Sequence, residues 1–104
     1  MVLYTALRAP QVFGKAICQA GAYQYRQEEY IVFDLVKYLP VRPLKVSLDV
    51  GRYDFLLETN RRMAAHLVDN GFDTGYLEYN GGHNYTCWRN HMHYGLRACF
   101  PPVI

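Results

Sequence analysis

Serine is nearly missing from this chain. Its 104 residues contain one, Ser47, set inside the alternating segment Leu44 to Val50, which reads as a strand rather than an exposed turn. A hydroxyl in mid-strand is badly placed to attack a substrate, so the sequence offers no serine nucleophile of its own. Long apolar runs are missing too. None approaches the roughly 20 residues that a membrane helix needs, and Met1-Val2-Leu3-Tyr4-Thr5-Ala6 lacks the basic start and long apolar core of a secretion signal. An excess of one charge is likewise absent: the net charge is +2, with Lys and Arg scattered along the chain, so no basic stripe marks a nucleic-acid surface. The three cysteines, Cys18, Cys87 and Cys99, are odd in number and lack C-x-x-C spacing, which argues against a disulfide framework. These features point to a reducing, cytoplasmic setting with neither membrane nor nucleic acid as partner.

What is present is enough for one folded domain covering residues 1–104. Hydrophobic residues make up 51% of the sequence and charged residues 19%, a balance that disordered chains do not show. Residues 1–9 read as a helix with Leu3, Ala6 and Leu7 on one face and Pro10 after its stop. Phe13 to Ala20 reads as a short buried strand closed by Gly21. Glu28-Glu29 opens a helix to about Leu39, striped by Ile31, Val32, Leu35, Val36 and Leu39. Pro40 and Pro43 mark a turn. The strand Leu44 to Val50 follows, with Leu44, Val46, Leu48 and Val50 on one side and Lys45, Ser47 and Asp49 on the other, a pattern less apolar than central parallel strands usually show. A helix over Leu57–Asn70 turns Met63, Ala64, Leu67 and Val68 inward and stops at Gly71. Thr74–Tyr79 is a third strand. Thr86 is expected to cap a last helix, whose apolar face is Trp88, Met92, Leu96 and Cys99 and which ends at Pro101-Pro102.

The order α-β-α-β-α-β-α predicts an α/β fold: about three parallel strands with right-handed crossovers, flanked by about four helices. Ligands in such sheets bind beyond the carboxyl ends of the strands. Two chemically capable residues fall there. Asp54 follows the second strand, and His83, on the Gly81-Gly82-His83 turn, follows the third. A carboxylate that accepts the imidazole N–H fixes the tautomer and stabilises the imidazolium formed when the ring takes a proton. A loop histidine satisfied by a turn aspartate has the same spacing, so the residues alone leave both readings open. Of the remaining candidates, Cys87 stands four residues after His83, where an imidazolium or a helix N-terminus would lower its pKa; packing beneath Trp88 is the plainer reading. Cys18 reads as an inert core thiol. His83, Cys87, His91 and His93 are all metal-ligand types within eleven residues. They match no accepted zinc spacing, and His91 and His93 point to different helix faces. His66 reads as a surface or boundary residue. Ten tyrosines suit either a ligand cleft or half-buried packing; Trp88 suits the wall of a pocket or the packing of the last helix, and packing is the plainer reading. No metal or cofactor is expected.

Gly51-x-x-Asp54, Asn60-Arg61, Leu67, Gly71 and Glu78-x-x-Gly81-Gly82-His83-x-x-x-x-Trp88-Arg89 together resemble the C-terminal part of the enterochelin-esterase-like esterase family. Feruloyl esterases of the same fold look similar there. The segment Tyr4-x-Ala6-Leu7-x-x-Pro10-x-Val12-Phe13-Gly14-Lys15, then Gln19-x-Gly21-x-Tyr23, is similar to the stretch that follows the family's nucleophile elbow. The resemblance implies part of an α/β-hydrolase acting on small-molecule esters, with Asp54 as the acid and His83 as the base. It also implies that the motif Gly-x-Ser-x-Gly-Gly, with the nucleophile and an oxyanion donor, belongs immediately before Met1. Asn84 stands where relatives commonly have Asp, and Cys18 where they tend to have Ser. The expectation is therefore a partial ester-hydrolase domain, inactive alone, that self-associates or is completed by another chain. The competing expectation is a non-catalytic remnant or interaction module with an idle Asp–His pair.

Overall fold

The computed structural model describes residues 2–9, 11–23, 31–39 and 43–102. Seven elements follow in chain order: α1 (Val2–Arg8), β1 (Lys15–Gln19), α2 (Ile31–Tyr38), β2 (Lys45–Gly51), α3 (Leu57–Asp69), β3 (Asp73–Tyr79) and α4 (Tyr85–Cys99). The alternation of elements is the one the sequence predicts, and the fold class is α/β. Pro10, Pro40 and the helix start at Glu28-Glu29 lie outside the described residues. No helix among the described residues is long and apolar enough to cross a membrane.

The strands form one parallel sheet in the order β1-β2-β3. β2 is central, and its apolar side forms the core. Val46 and Leu48, with Ala16 and Cys18 of β1, pack against Leu3 and Leu7 of α1, Val36 of α2, and Met63 and Leu67 of α3. Three helices therefore cover one face. α4 covers the other and packs on β1 and β2. The polar side of β2 is not solvated, because Ser47 and Asp49 are both 0% exposed beneath that helix. Their alternation with apolar residues reads as a half-buried strand, yet the strand is buried on both faces.

Two helix faces differ from expectation. On α3, Met63, Ala64 and Leu67 turn inward, but Val68 is 59% exposed. A helix on a sheet buries one stripe, and Val68 lies about 100° around the axis from Leu67. On α4, Met92 and Leu96 are exposed while Gly95 and Cys99 are buried. A side chain at Gly95 would place its Cβ 2.5 Å from Ile17 Cγ2, so the helix lies on β1 through its glycine. Hydrophobic patterning passes over such a contact, because glycine carries no apolar side chain to count. The helix also begins earlier than predicted. Asn84, in extended backbone, accepts the N–H of Cys87 through its side chain, and Tyr85 is already helical. Asn84 is therefore the cap, and Thr86 lies inside the first turn. α3 stops as expected, with Gly71 at φ 85° just past it, a left-handed conformation that glycine adopts without steric cost.

Leu67→Ala is expected to cost about 2–5 kcal/mol of unfolding free energy. Val68→Ala should change it by no more than about 0.5 kcal/mol. Urea denaturation of the two variants checks the orientation of α3.

Candidate active site

Parallel pairing of β2 with β3, in the register Asp49↔Leu77 and Gly51↔Tyr79, brings both strands to their carboxyl ends side by side. The two loops that follow continue the contact. Arg52 N–H donates to the Tyr79 carbonyl at 2.8 Å, and Tyr53 N–H to the Gly81 carbonyl at 3.0 Å. The Arg52 guanidinium donates to the Asn80 side-chain oxygen at 2.8 Å. The approach is so close that a Cβ at residue 51 would lie 2.2 Å from the Gly81 carbonyl oxygen. A Cβ at residue 81 would lie 2.8 Å from Cys87 Sγ and 3.0 Å from the Tyr79 ring. Glycine is needed at residue 51, where backbone occupies the room for a side chain; at residue 81 the crowding comes from side chains.

This zipper brings Asp54 and His83 together. Asp54 is buried, and each of its carboxylate oxygens has a task. Oδ1 accepts the N–H of Leu56 at 2.9 Å and so turns the loop into α3. Oδ2 lies 2.9 Å from His83 Nδ1. A carboxylate only accepts, so Nδ1 carries the proton, and the neutral ring keeps Nε2 as its acceptor. The His83 side chain is 37% exposed. The Trp88 indole stands perpendicular to its ring at a centroid distance of 4.8 Å, and Phe55 tilts against it at 5.0 Å. Neither Phe55 nor this use of Trp88 was read from the sequence; an aromatic residue directly after Asp54 was the available signal.

The other candidates have surroundings of their own. Ser47 is fully buried within β2. Cys18 is buried, and burial pushes its thiol up to about 11, which suits an inert core residue. Cys87 places its Sγ toward Gly81. His91 stacks on Tyr79 at 3.7 Å and bonds through Nδ1 to the Cys87 carbonyl at 2.7 Å. Among the described residues no group of three or more His, Cys, Asp or Glu is placed to hold a metal. His66 is half-buried, its Nε2 at 2.8 Å from the Phe33 carbonyl. Asn60 and Arg61 act as ties. The Asn60 amide donates to the carbonyls of Gly21 and Leu56 at 2.8 and 2.9 Å. Arg61 makes a paired contact with Glu78 at 2.6 and 2.9 Å. That pairing, with the Tyr76 hydroxyl, holds the Glu78 carboxyl down at about 2.

Sequence reasoning also passed over Asp49. Burial pushes its carboxyl up to about 6, against the lowering influence of His91 and the Gln19 amide. Burial, and then Asp49, raise the Tyr79 phenol to about 12. A polar layer with one ionisable acid therefore lies under α4, directly behind the His83 turn.

A family model described as "Putative esterase" matches residues 1–99. The chain is 26% identical over 109 aligned positions to the iron(III) enterobactin esterase of Escherichia coli (strain K12), covering 98% of this chain and 27% of that protein. Among solved structures it is similar to enterochelin esterase from Shigella flexneri, with a TM-score of 0.79 and 27% identity over 96% of this chain and 27% of that one. It also shares the fold of S-formylglutathione hydrolase from Staphylococcus aureus, with a TM-score of 0.72 and 17% identity over 88% of this chain and 43% of that one. The chain thus spans about a quarter of the length of the curated relative it matches.

Two outcomes follow from this geometry. Gly51→Ala is expected to push the loops apart and abolish the downfield Nδ1–H resonance of His83 in proton NMR, with the far-UV circular dichroism preserved. Asp49 binds its proton more tightly folded than unfolded, because its carboxyl is raised from 3.8 to about 6. Its stabilising contribution is therefore complete below about pH 4 and lost as pH rises through about 6, a change of about 2–3 kcal/mol. Urea titrations should show this decline in the unmodified chain and its absence in Asp49→Asn.

Proposed function

The chain belongs to the esterase family whose model it matches over residues 1–99, and from that premise we propose that it supplies the acid and the base of a serine-type carboxylic ester hydrolase. The observation that carries this reading is the 2.9 Å hydrogen bond from His83 Nδ1 to the buried carboxylate of Asp54. With Nδ1 engaged, Nε2 is free to take the proton of an attacking hydroxyl as that hydroxyl adds to the ester carbonyl. Asp54 holds the ring in the required tautomer and stabilises the imidazolium. His83 then returns the proton to the departing alcohol, leaving an acyl-enzyme that water cleaves by the same exchange. Hydrolysis of an ester in this way calls for no metal or cofactor.

The attacking serine hydroxyl is not Ser47 in this reading, since that residue is fully buried in the central strand. In this reading it comes from a Gly-x-Ser-x-Gly turn on other polypeptide that also brings an oxyanion donor. Two features favour such a completing segment. β1 is an outer strand of the sheet among the described residues, and a bare edge pairs readily with another strand. Val12, Phe13, Met92, Leu96 and Phe100 are all at least 40% exposed, so apolar surface is available to cover. Self-association is the other way to bury it. The relatives' names point to small-molecule esters, and iron(III) enterobactin is the first substrate to try.

The purified chain alone is expected to leave a p-nitrophenyl ester at the buffer rate, with or without Cys87→Ala. Joined in frame behind the nucleophile-bearing portion of the Escherichia coli relative, it should hydrolyse the ester. His83→Ala and Asp54→Asn should each lower kcat by about 10³-fold or more. Turnover by the chain alone that Cys87→Ala removes would assign the attack to the thiol. Full activity of the joined His83→Ala enzyme would show an idle pair in a non-catalytic module.

A further inference from the structure

α4 carries both a wall of the proposed site and the contacts that hold it to the sheet, and those contacts are unequal along its length. Near its C-terminal end, Gly95 lies against Ile17 and Cys99 is buried. Its first turn, where Trp88 faces His83, is tied differently. Gln19, the last residue of β1, reaches across 69 positions of chain and donates its amide to the main-chain carbonyl of Trp88 at 2.7 Å. Gln19 is also the register partner of Asp49, so its amide leaves the sheet beside the buried carboxyl. The side chains that bear electrostatically on that carboxyl include Gln19 of β1, Tyr79 of β3, and His91 and Tyr94 of α4.

The His83 ring is fixed at one point, Nδ1, by Asp54. Rotation about that bond is limited by whatever flanks the ring. Phe55 is 66% exposed on the loop and forms a soft wall. Trp88, on a helix anchored to the sheet, forms the firm one. We propose that Gln19 is a positioning residue for His83: by holding the Trp88 carbonyl it keeps the indole against the imidazole and so sets the direction in which Nε2 points. This deepens, and rests on, the reading of His83 as the base. Misplacing a catalytic group by about 1 Å costs up to about 100-fold in rate, so a tether of this kind matters without touching substrate.

The test is read from the geometry of the 104-residue chain by NMR and needs no turnover. In the unmodified chain, nuclear Overhauser contacts join the Trp88 indole to the His83 ring protons, and the Gln19 side-chain amide protons exchange slowly with solvent. Gln19→Met, of similar volume but unable to donate, is expected to lose the Trp88–His83 contacts and shift the ring resonances of His83. Gln19→Glu should lose them at pH 8 and regain them on acidification, when the carboxylic acid recovers an O–H donor. A merely structural role would lower the melting temperature yet leave the contacts intact in the folded molecules. Retention of those contacts in folded Gln19→Met, or fast exchange of the Gln19 amide in the unmodified chain, overturns the proposal. In the joined enzyme the same substitution should lower kcat about tenfold or more with KM little changed. The ester-hydrolase reading fails separately: a joined His83→Ala enzyme of undiminished kcat removes it and leaves the NMR result standing.

Discussion

The structure depends on a close backbone approach between two loops. Parallel pairing brings β2 and β3 to the same level, and the ladder then runs on past the strands through Arg52, Tyr53, Tyr79 and Gly81. Main-chain bonds of this kind are insensitive to side-chain identity, but they admit no bulk where the chains meet, which fixes glycine at residue 51 against the Gly81 carbonyl. Asp54 and His83 meet because their backbones are already fastened together. The carboxylate serves twice, starting α3 with one oxygen and orienting the imidazole with the other. Loop, helix start and the Asp54–His83 hydrogen bond therefore share one set of contacts.

The two faces of the sheet do different work. The face under α1, α2 and α3 is apolar and supplies hydrophobic stabilisation. The face under α4 buries Ser47 and Asp49, at a cost in desolvation that apolar residues would not incur. Such a cost is more often tolerated near functional groups than elsewhere. Here the polar layer lies behind the turn that presents His83, and its Gln19 amide reaches the helix that walls that turn. Stability and site geometry draw on the same few residues.

Much of this was legible in the residues. The alternation of strands and helices, the stop at Gly71 and the placement of Asp54 and His83 beyond strand ends all follow from periodicity and from glycine at turns. Three things were not legible, each for a physical reason. The contact face of α4 centres on Gly95, and patterning registers only side chains that are there. The cap at Asn84 competed with Thr86, and capping residues are too alike in chemistry for sequence to choose between them. The burial of Asp49 depends on a helix some forty residues later in the chain lying across it, a long-range fact that no local window holds. Phe55 was passed over, and Gln19 entered only through a resemblance, for a related reason: what each does lies in what it touches.

One consequence of the joined loops concerns the rim of the site. Tyr53, Phe55 and Tyr85 project from the same end of the sheet and are 78%, 66% and 72% exposed. The approach of Asp54 to His83 follows from main-chain bonds between the loops rather than from these rings. Substitutions at these three rings therefore leave the backbone contacts between the two loops in place. The shape of the rim and the pairing of the loops are set by different parts of the chain.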